Sequence, residues 1–281
     1  MSKKAICTGI DNYPGTANDL KGCVNDANNW AKILTGLGFE TKVLENSQVT
    51  KQNILSNLYE MVLDAKAGDV LVFTYSGHGT QVSDYGGDEP DGYDEALYVY
   101  DGVLSDDLLR EAIIGLDKEV AFTFISDSCF SGTVTRVIPK GEKGKAKFIK
   151  PKKVKTKRIK QLLKYEEDMQ EVLLSGCSDT EYSYDALIDG EWGGAFTHYA
   201  TKAYALLTNP TYTQLHDKIR EYLPSDRLPQ TPQLEGSKAN LELVVFEGKP
   251  KPPPPPPPTV EPNWFIKLLI AIYEWIVNLF K

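Results

Sequence analysis

The chain has 281 residues, of which 41% are hydrophobic and 25% charged, which is enough apolar sequence for a sizeable core in one large domain or two small ones. Its amino terminus carries no secretory signal pattern, and its four cysteines lack the paired spacing of metal ligands. We therefore predict reduced thiols and a cytoplasmic protein. The cysteines are Cys7, Cys23, Cys129 and Cys177.

The net charge of -8 hides a strong segregation of charge along the chain. Residues 137–164 carry 12 basic groups and 1 acidic group, whereas residues 1–136 carry 10 and 21, and residues 165–281 carry 9 and 17. A basic block of this kind can bind nucleic acid, but its one aromatic residue is Phe148 and no nucleic-acid-binding motif surrounds it. We expect no nucleic-acid partner and predict a solvated, flexible loop.

Hydrophobic periodicity before the basic block predicts alternating strands and helices. Strands are predicted at residues 4–10, 41–44, 70–74, 96–100 and 120–125, and helices at 23–37, 51–65 and 106–116. Thr50 and Ser105 are the predicted N-caps of the second and third helices. This alternation predicts an α/β fold with a mostly parallel sheet flanked by helices.

After the basic block, strands are predicted at residues 172–175 and 241–246, and helices at 195–207 and 212–222. Residues 252–258 are an unbroken proline run, which predicts a stiff spacer of roughly 20 Å. Residues 264–280 are apolar except for Lys267, Glu274 and Asn278, which fall on one helical stripe. This pattern predicts an apolar helix at residues 263–281 that anchors at or spans a membrane, or packs against protein.

Two short polar segments stand where predicted strands end. Residues 75–80 contain His78, and residues 126–132 contain Cys129. The carboxyl ends of parallel strands meet at one edge of a sheet, where α/β proteins bind ligands, and the glycines of both segments permit tight turns. An imidazole and a thiol are the two groups needed for covalent attack on a peptide carbonyl.

Taken with six other segments, these two resemble the metacaspases, the caspase-like cysteine peptidases, over roughly residues 4–247. The six segments are residues 9–13, 20–27, 91–96, 174–177, 194–197 and 230–236. The spacing of 51 residues from His78 to Cys129 also agrees with the caspase spacing of about 50.

The resemblance implies a caspase-like fold with a large-subunit-like catalytic region at 1–136, a basic linker at 137–168 and a small-subunit-like region at 169–247. Composition adds a proline-rich spacer at 248–262 and the terminal helix at 263–281.

The resemblance also implies a cysteine endopeptidase in which Cys129 is the nucleophile and His78 is the general base and then the general acid. The backbone N–H groups of Gly79 and Cys129 would form the oxyanion hole, and the chemistry requires no cofactor. A neighbouring imidazolium that lowers the thiol pKa from about 8.5 would increase the reactive thiolate fraction. His198 and His216 lie in predicted helices and are interpreted as packing or surface residues.

The family cleaves after Arg or Lys, and Asp26, Ser76 and Asp127 match its primary specificity pocket. Two carboxylates and a hydroxyl suit a basic side chain, whereas a pocket for Asp would need basic residues. We predict protein or peptide substrates with Arg or Lys at P1, the residue before the cut bond. The basic linker holds many such residues, so we also predict self-processing there.

Many metacaspases are activated by calcium through carboxylates, and Asp106 and Asp107 match part of that site, near the acidic loop at residues 88–94. Against this, Arg136 stands where the family often has an acidic residue. Asp106 and Asp107 would also stabilise the first turn of their helix without any metal. Two alternatives therefore stay open for Asp106 and Asp107, which are binding of calcium as an activator and stabilisation of their helix without a metal.

Two other functions stay open at this level. The first is a membrane-associated effector whose C-terminal helix is controlled by the caspase-like domain. The second is a catalytically silent scaffold, which the presence of His78, Cys129 and every matched pocket residue disfavours.

Overall fold

A six-stranded sheet lies at the centre of the computed structural model, which describes residues 1–83, 93–129, 143–149, 169–178 and 181–250. The strands are β1 (Lys3–Gly9), β2 (Glu40–Glu45), β3 (Val70–Ser76), β4 (Gly79–Ser83), β5 (Tyr93–Val99), β6 (Gly102–Ser105), β7 (Ala121–Asp127), β8 (Gly144–Ala146), β9 (Glu171–Ser175), β10 (Tyr184–Ile188), β11 (Glu191–Gly194) and β12 (Gln233–Glu235). The helices are α1 (Cys23–Gly36), α2 (Lys51–Leu63), α3 (Asp106–Ile113), α4 (Ala195–Leu206), α5 (Tyr212–Arg220) and α6 (Lys238–Leu241), and a single 3-10 turn covers Asn46–Gln48.

The central sheet has the strand order β12-β9-β7-β3-β1-β2. The pairs β1–β2, β1–β3, β3–β7 and β7–β9 are parallel, and β12 pairs antiparallel to β9. The predicted mostly parallel α/β sheet is therefore confirmed. The sheet also joins the predicted large-subunit-like and small-subunit-like regions, because β7 and β9 are neighbours on opposite sides of the basic block.

Both faces of the sheet are covered, which explains why its strands are short, continuous apolar runs. Alternate residues of β3 point to opposite faces, so that Leu71 and Phe73 join a cluster with α2 and α3, whereas Val70 and Val72 join a cluster with α1, α4 and α5. Seven consecutive residues of β3 are buried, as expected for a central strand.

The two predicted helix caps have different outcomes. Thr50 precedes α2, and its side chain accepts a hydrogen bond from the Asn53 N–H at 3.2 Å, which confirms it as an N-cap. Ser105 occupies the N-cap position of α3, but its side chain makes no capping hydrogen bond, and the helix ends at Ile113 rather than at 116. Ser105 is the last residue of β6, and its pairing with Ala96 in that hairpin sets its conformation.

The predicted final strand at residues 241–246 is wrong. Residue 241 ends α6, whose N-cap Ser237 accepts a hydrogen bond from the Asn240 N–H at 3.3 Å, and Val244 makes one isolated bridge to Thr211. The apolar run instead packs its side chains on the helical layer. Phe246 is fully buried, with its ring centroid 6.0 Å from that of Trp30.

Two three-stranded antiparallel sheets flank the central sheet, in the orders β4-β5-β6 and β11-β10-β8. Of these six strands, sequence periodicity predicted only β5. Strand β8 comes from the basic block, so the prediction of a solvated, flexible loop is wrong for residues 143–149. Lys147, immediately after β8, is 0% exposed.

The predicted C-terminal helix at residues 263–281 lies outside the described residues. Among the helices that the structure does describe, none is both long and apolar enough to cross a membrane.

Candidate active site

The two chemical motifs lie at one edge of the central sheet. Strands β3 and β7 are adjacent and parallel, and Ser76 pairs with Asp127 at their carboxyl ends. His78 and Cys129 each follow two residues beyond these paired positions. The turn after β3 is tied to β7 by a hydrogen bond from the Gly77 N–H to the Asp127 carbonyl at 3.4 Å. Parallel pairing therefore brings both motifs to the same rim.

The His78 ring is fully buried and oriented by its neighbours. Its Nε2 lies 2.6 Å from the carbonyl oxygen of Asn18, and because a carbonyl only accepts, Nε2 carries the proton. Its Nδ1 is buried without a hydrogen-bond partner. Tyr13 supports the ring from the side, with centroids 4.7 Å apart, and its hydroxyl accepts a hydrogen bond from the His78 N–H at 2.8 Å. Nδ1 is thus the free basic nitrogen.

Burial lowers the pKa of His78 from 6.5 to about 4, and the positive charges of Lys145 and Lys147 act in the same direction. The imidazole is therefore neutral at pH 7 in this structure. A neutral ring can accept a proton from a thiol, which is the first requirement of a general base.

This burial predicts a pH dependence of stability. The unfolded imidazole binds a proton below pH 6.5, whereas the folded one stays neutral down to about pH 4, so acid favours the unfolded chain within that window. We expect the free energy of unfolding to fall by up to about 3 kcal/mol more in the wild type than in His78→Gln between pH 7 and 4. Urea unfolding of both proteins across this range measures the difference. Equal slopes against pH would contradict the prediction.

The Cys129 thiol is also fully buried and faces the residue before β10. Its Sγ accepts a hydrogen bond from the Ser183 N–H at 2.8 Å and lies 3.2 Å from the Ser183 carbonyl oxygen. The thiol and the free Nδ1 of His78 are thus not hydrogen-bonded to each other here. Proton transfer between them requires the thiol to rotate away from Ser183.

Asp26, Ser76 and Asp127 come together in a buried cluster, which we call the acid pocket. The Ser76 hydroxyl donates to Asp26 Oδ2 at 2.6 Å, and the Gly194 N–H lies 2.9 Å from both Asp26 oxygens. Asp127 accepts hydrogen bonds from the Ser183 hydroxyl at 2.5 Å and from the Thr197 N–H at 2.9 Å. These donors hold both carboxylates in place within the protein interior.

Gly194 is required by this arrangement. A Cβ built on Gly194 would collide with Asp127 Oδ2 and with the cation that the pocket holds, and it would lie 2.6 Å from Asp26 Oδ2. The backbone of residue 194 therefore forms a wall of the acid pocket that admits no side chain.

The cation in the acid pocket is the ammonium group of Lys147, from the basic block. Its Nζ lies 2.9 Å from Asp127 Oδ1, 3.3 Å from Asp26 Oδ2 and 2.9 Å from Ser76 Oγ. Burial alone would lower the pKa of Lys147, but the carboxylates of Asp127 and Asp26 raise it well above its ordinary value. Burial raises the pKa of Asp26, and the Lys147 ammonium opposes that shift. Because the pKa of Asp26 is raised to about 7, this carboxyl group is only partly ionised at neutral pH, so the net charge of the pocket depends on pH.

The backbone of Lys147 lies against the two nominated oxyanion-hole donors. Its carbonyl oxygen accepts hydrogen bonds from the Gly79 N–H at 2.9 Å and the Cys129 N–H at 3.2 Å. Its own N–H donates to the Ser183 carbonyl at 2.9 Å. One residue therefore occupies both the acid pocket and the pair of backbone donors.

Sequence patterns did not identify Lys147 among the basic residues of its block, and they missed three further contributors to the site. These are the Asn18 carbonyl, the Ser183 backbone and Asp185, and none stands beside a predicted strand end. Asp185 is 1% exposed; its Oδ2 accepts from the Lys21 N–H at 2.8 Å, and its Oδ1 is buried without a partner. Burial raises the pKa of Asp185 to about 6, although Lys147 lowers it. Contacts made by backbone atoms cannot be predicted from residue type, because every residue has them. Asp185 has no sequence feature that distinguishes it from the other acidic residues.

The nominated calcium residues Asp106 and Asp107 lie in the first turn of α3. Asp106 Oδ2 is 4.0 Å from the Arg110 guanidinium, and the acidic loop at residues 88–92 lies outside the described residues. Within the described ranges, no group of three or more His, Cys, Asp or Glu side chains could hold a metal ion. His198 lies 3.4 Å from Asp189, and His216 Nε2 donates toward the Pro232 carbonyl, 3.0 Å away, so both have local structural contacts.

A family model for the caspase domain matches residues 2–243. Metacaspase-1 of Saccharomyces cerevisiae is 31% identical over an alignment of 301 positions that covers 86% of this chain and 69% of that protein. Metacaspase-1 of Lodderomyces elongisporus is 32% identical, with coverage of 84% and 65%.

Solved structures show the same fold. A Geobacter sulfurreducens protein superposes with a TM-score of 0.67 at 25% identity, over 88% of this chain and 99% of its own. Caspase-1 from Spodoptera frugiperda superposes with a TM-score of 0.56 at 13% identity, over 88% and 91%. The chain therefore belongs to the caspase-domain family of cysteine peptidases. Its curated relatives place it among the metacaspases, as its motifs predict, and it is a hydrolase.

Proposed function

We propose that this metacaspase is an endopeptidase that cleaves proteins after Lys or Arg by means of a Cys129–His78 dyad. The observation that carries the proposal is a lysine side chain held in the acid pocket while its carbonyl accepts hydrogen bonds from Gly79 and Cys129. A substrate bound in this way presents its scissile carbonyl to the backbone N–H of the residue that attacks it.

The charge of the pocket supports specificity for a basic P1 residue. Asp26 and Asp127 together carry two negative charges when ionised, and both are almost fully buried, so an acidic P1 side chain would be repelled at short range in a medium of low dielectric constant. A Lys ammonium gains charge-assisted hydrogen bonds there, and an Arg guanidinium can satisfy two carboxylates with its several donors.

The dyad acts through proton transfer between two positioned atoms. His78 Nδ1 takes the Sγ proton, and the thiolate then attacks the substrate carbonyl carbon. Negative charge develops on the substrate carbonyl oxygen, and the N–H groups of Gly79 and Cys129, which here donate to the Lys147 carbonyl oxygen, would stabilise it. The Asn18 carbonyl accepts from Nε2–H, which keeps Nδ1 unprotonated before attack and stabilises the imidazolium afterwards.

Self-processing within the basic linker belongs to the same proposal, because the residue in the acid pocket comes from that linker. Calcium activation through Asp106 and Asp107 stays a hypothesis, which a comparison of turnover with calcium and with a chelator tests. The membrane-associated effector depends on residues 263–281, outside the described residues, and no contact in the described chain favours it.

Reporter peptides test the proposal directly. We expect the purified protein to release a fluorophore from peptides that end in Lys or Arg at least about 100-fold faster than from one that ends in Asp, which corresponds to about 3 kcal/mol of discrimination. Each peptide is assayed with calcium and with a chelator, and turnover that survives the chelator removes calcium from the hypothesis. Preferential release from the Asp peptide, or no release from any, would overturn the proposal.

A further inference from the structure

Residues 143–149, which we call the resident segment, run across the candidate active site in an extended conformation. We propose, on the basis of the proposed peptidase function, that Lys147–Phe148 is the peptide bond that the enzyme cuts in its own chain, and that the resident segment blocks the site until this bond is cut. The inference goes beyond self-processing somewhere in the linker, because it names one bond and a mechanism of inhibition.

The first support is the pairing of the residues before the Lys147–Phe148 bond with the edge of β10. Strand β8 pairs antiparallel with β10, so that Lys145 lies opposite Asp185 and Ala146 opposite Tyr184. The Lys147 N–H then donates to the Ser183 carbonyl at 2.9 Å and continues this ladder to the site itself. A peptide that adds a strand to an exposed edge is a general way in which peptides bind to sheets.

The second support is the set of contacts that hold Phe148 and Ile149, the two residues after the bond. The Ile149 N–H donates to the Gly79 carbonyl at 3.0 Å, while the Gly79 N–H donates to the Lys147 carbonyl at 2.9 Å. The Phe148 ring lies 5.9 Å from the Tyr182 ring, and the Ile149 side chain is buried in the apolar cluster beneath the site. The chain is therefore held on both sides of a single peptide bond, which fixes the carbonyl for attack.

Only one basic residue of the described linker is in the position of P1. Lys143 is exposed, and Lys145 is partly exposed, with its Nζ bonded to carbonyls outside the acid pocket. Lys147 is 0% exposed, and its ammonium contacts three pocket side chains. The other basic residues of the block lie outside the described residues, and the pocket that would hold their side chains is occupied.

The cleavage balances with groups that are present and one water molecule. The Cys129 thiol rotates away from Ser183, gives its proton to His78 Nδ1, and Sγ bonds to the Lys147 carbonyl carbon. The Lys147–Phe148 C–N bond breaks as His78 protonates the Phe148 nitrogen. Water then adds to the thioester, giving one proton to His78 and its hydroxyl to the Lys147 carbonyl, and the thiol is restored as the C–S bond breaks.

The same contacts explain how the resident segment would block the site to other substrates. A substrate in trans needs the acid pocket, the two backbone donors and the edge of β10, and the resident segment occupies all three. Because the resident segment is part of the same chain, its effective concentration is in the millimolar range or above, so it competes well with a dilute substrate. Cutting between Lys147 and Phe148 divides the segment, and each half then keeps only part of these contacts.

Mass spectrometry of the incubated wild-type protein tests the proposal without any substitution. We expect fragments that end at Lys147 and begin at Phe148, and we expect turnover of a Lys reporter peptide to rise at least tenfold as these fragments appear. Lys147→Ala should not be cut at this bond, whereas Lys147→Arg, which keeps the cation that balances two buried carboxylates, should be. Lys143→Ala is the matched control, and should be cut as the wild type is.

The outcomes separate this inference from the proposed function. A wild-type protein that turns over Lys reporters while the 147–148 bond stays intact overturns the inference and leaves the function. First cuts at any other linker residue, with none at 147–148, do the same. A protein that neither processes itself nor cuts any reporter, with or without calcium, overturns both.

A separate observation indicates a second recognition position two residues before P1. Lys145 Nζ donates to the carbonyl oxygens of Ala17 at 2.8 Å and Asp19 at 3.1 Å, which flank the Asn18 carbonyl that orients His78. We infer that substrates with a basic residue at this position are preferred. A reporter peptide with the sequence Gly-Lys-Ala-Lys should be cut about tenfold more efficiently by processed enzyme than Gly-Ala-Ala-Lys. Equal efficiencies would overturn this second inference alone.

Discussion

Cys129→Ala is expected to lower turnover of Lys and Arg reporter peptides by at least about 10⁴-fold, because no other group in the proposed mechanism can form the covalent intermediate. The substitution removes one sulfur atom from a buried site and leaves the backbone N–H donor of residue 129 in place. Because Cys129→Ala also cannot cut its own linker, the resident segment should remain in the acid pocket and exclude substrate. The loss should therefore appear in kcat/KM, as the absence of the nucleophile together with a blocked pocket.

Cys7→Ala is the matched control. Cys7 is also a free, fully buried cysteine, but it lies within β1, where burial raises its pKa to about 12, so it is unreactive at neutral pH. This variant should keep more than half of the wild-type turnover per folded molecule. Residual activity of Cys129→Ala above about one hundredth of the wild type would rule out Cys129 as the nucleophile.

Asp127→Asn is expected to lower kcat/KM for Lys reporters by about 10²- to 10³-fold, the range for removing one partner of a buried ion pair. Asp127 Oδ1 lies 2.9 Å from the Lys147 ammonium, and its other oxygen accepts from the Thr197 N–H. If the amide oxygen of Asn keeps the bond to Thr197, its NH₂ group faces the cation. A neutral donor then meets a positive charge, and the attraction becomes a repulsion.

Measurement of the P1 preference distinguishes this effect from general damage. Asp127→Asn should narrow the ratio of Lys to Asp reporter turnover, whereas a variant that is merely unstable should lower both rates equally. Asp217→Asn is the control, since the Asp217 side chain is 75% exposed and lies 4.0 Å from His216 on α5. An unchanged ratio in Asp127→Asn would show that the pocket does not select the P1 residue.

Local sequence patterns predict the position of the dyad correctly but fail at the last predicted strand. His78 and Cys129 were predicted to share a sheet edge because each follows a short apolar run, and the observed pairing of Ser76 with Asp127 puts both runs in register. The predicted strand at residues 241–246 failed for a related reason. A short, mostly apolar run can pack against helices as well as pair in a sheet, and here Phe246 packs against the Trp30 and Phe39 rings.

The sequence by itself determined the parallel α/β sheet, the family, and the residues nominated for the nucleophile, the base and the acid pocket, because strand and turn signals are local and the motifs occur in a fixed order. It did not single out Lys147 from the 12 basic residues of its block, which share one charge and one composition. Only the tertiary structure distinguishes Lys147 from the other basic residues. Lys147 meets Asp26 across 121 residues of sequence and Ser76 across 71, and such long-range pairing in a desolvated pocket depends on the position of the whole chain rather than on the residues beside it.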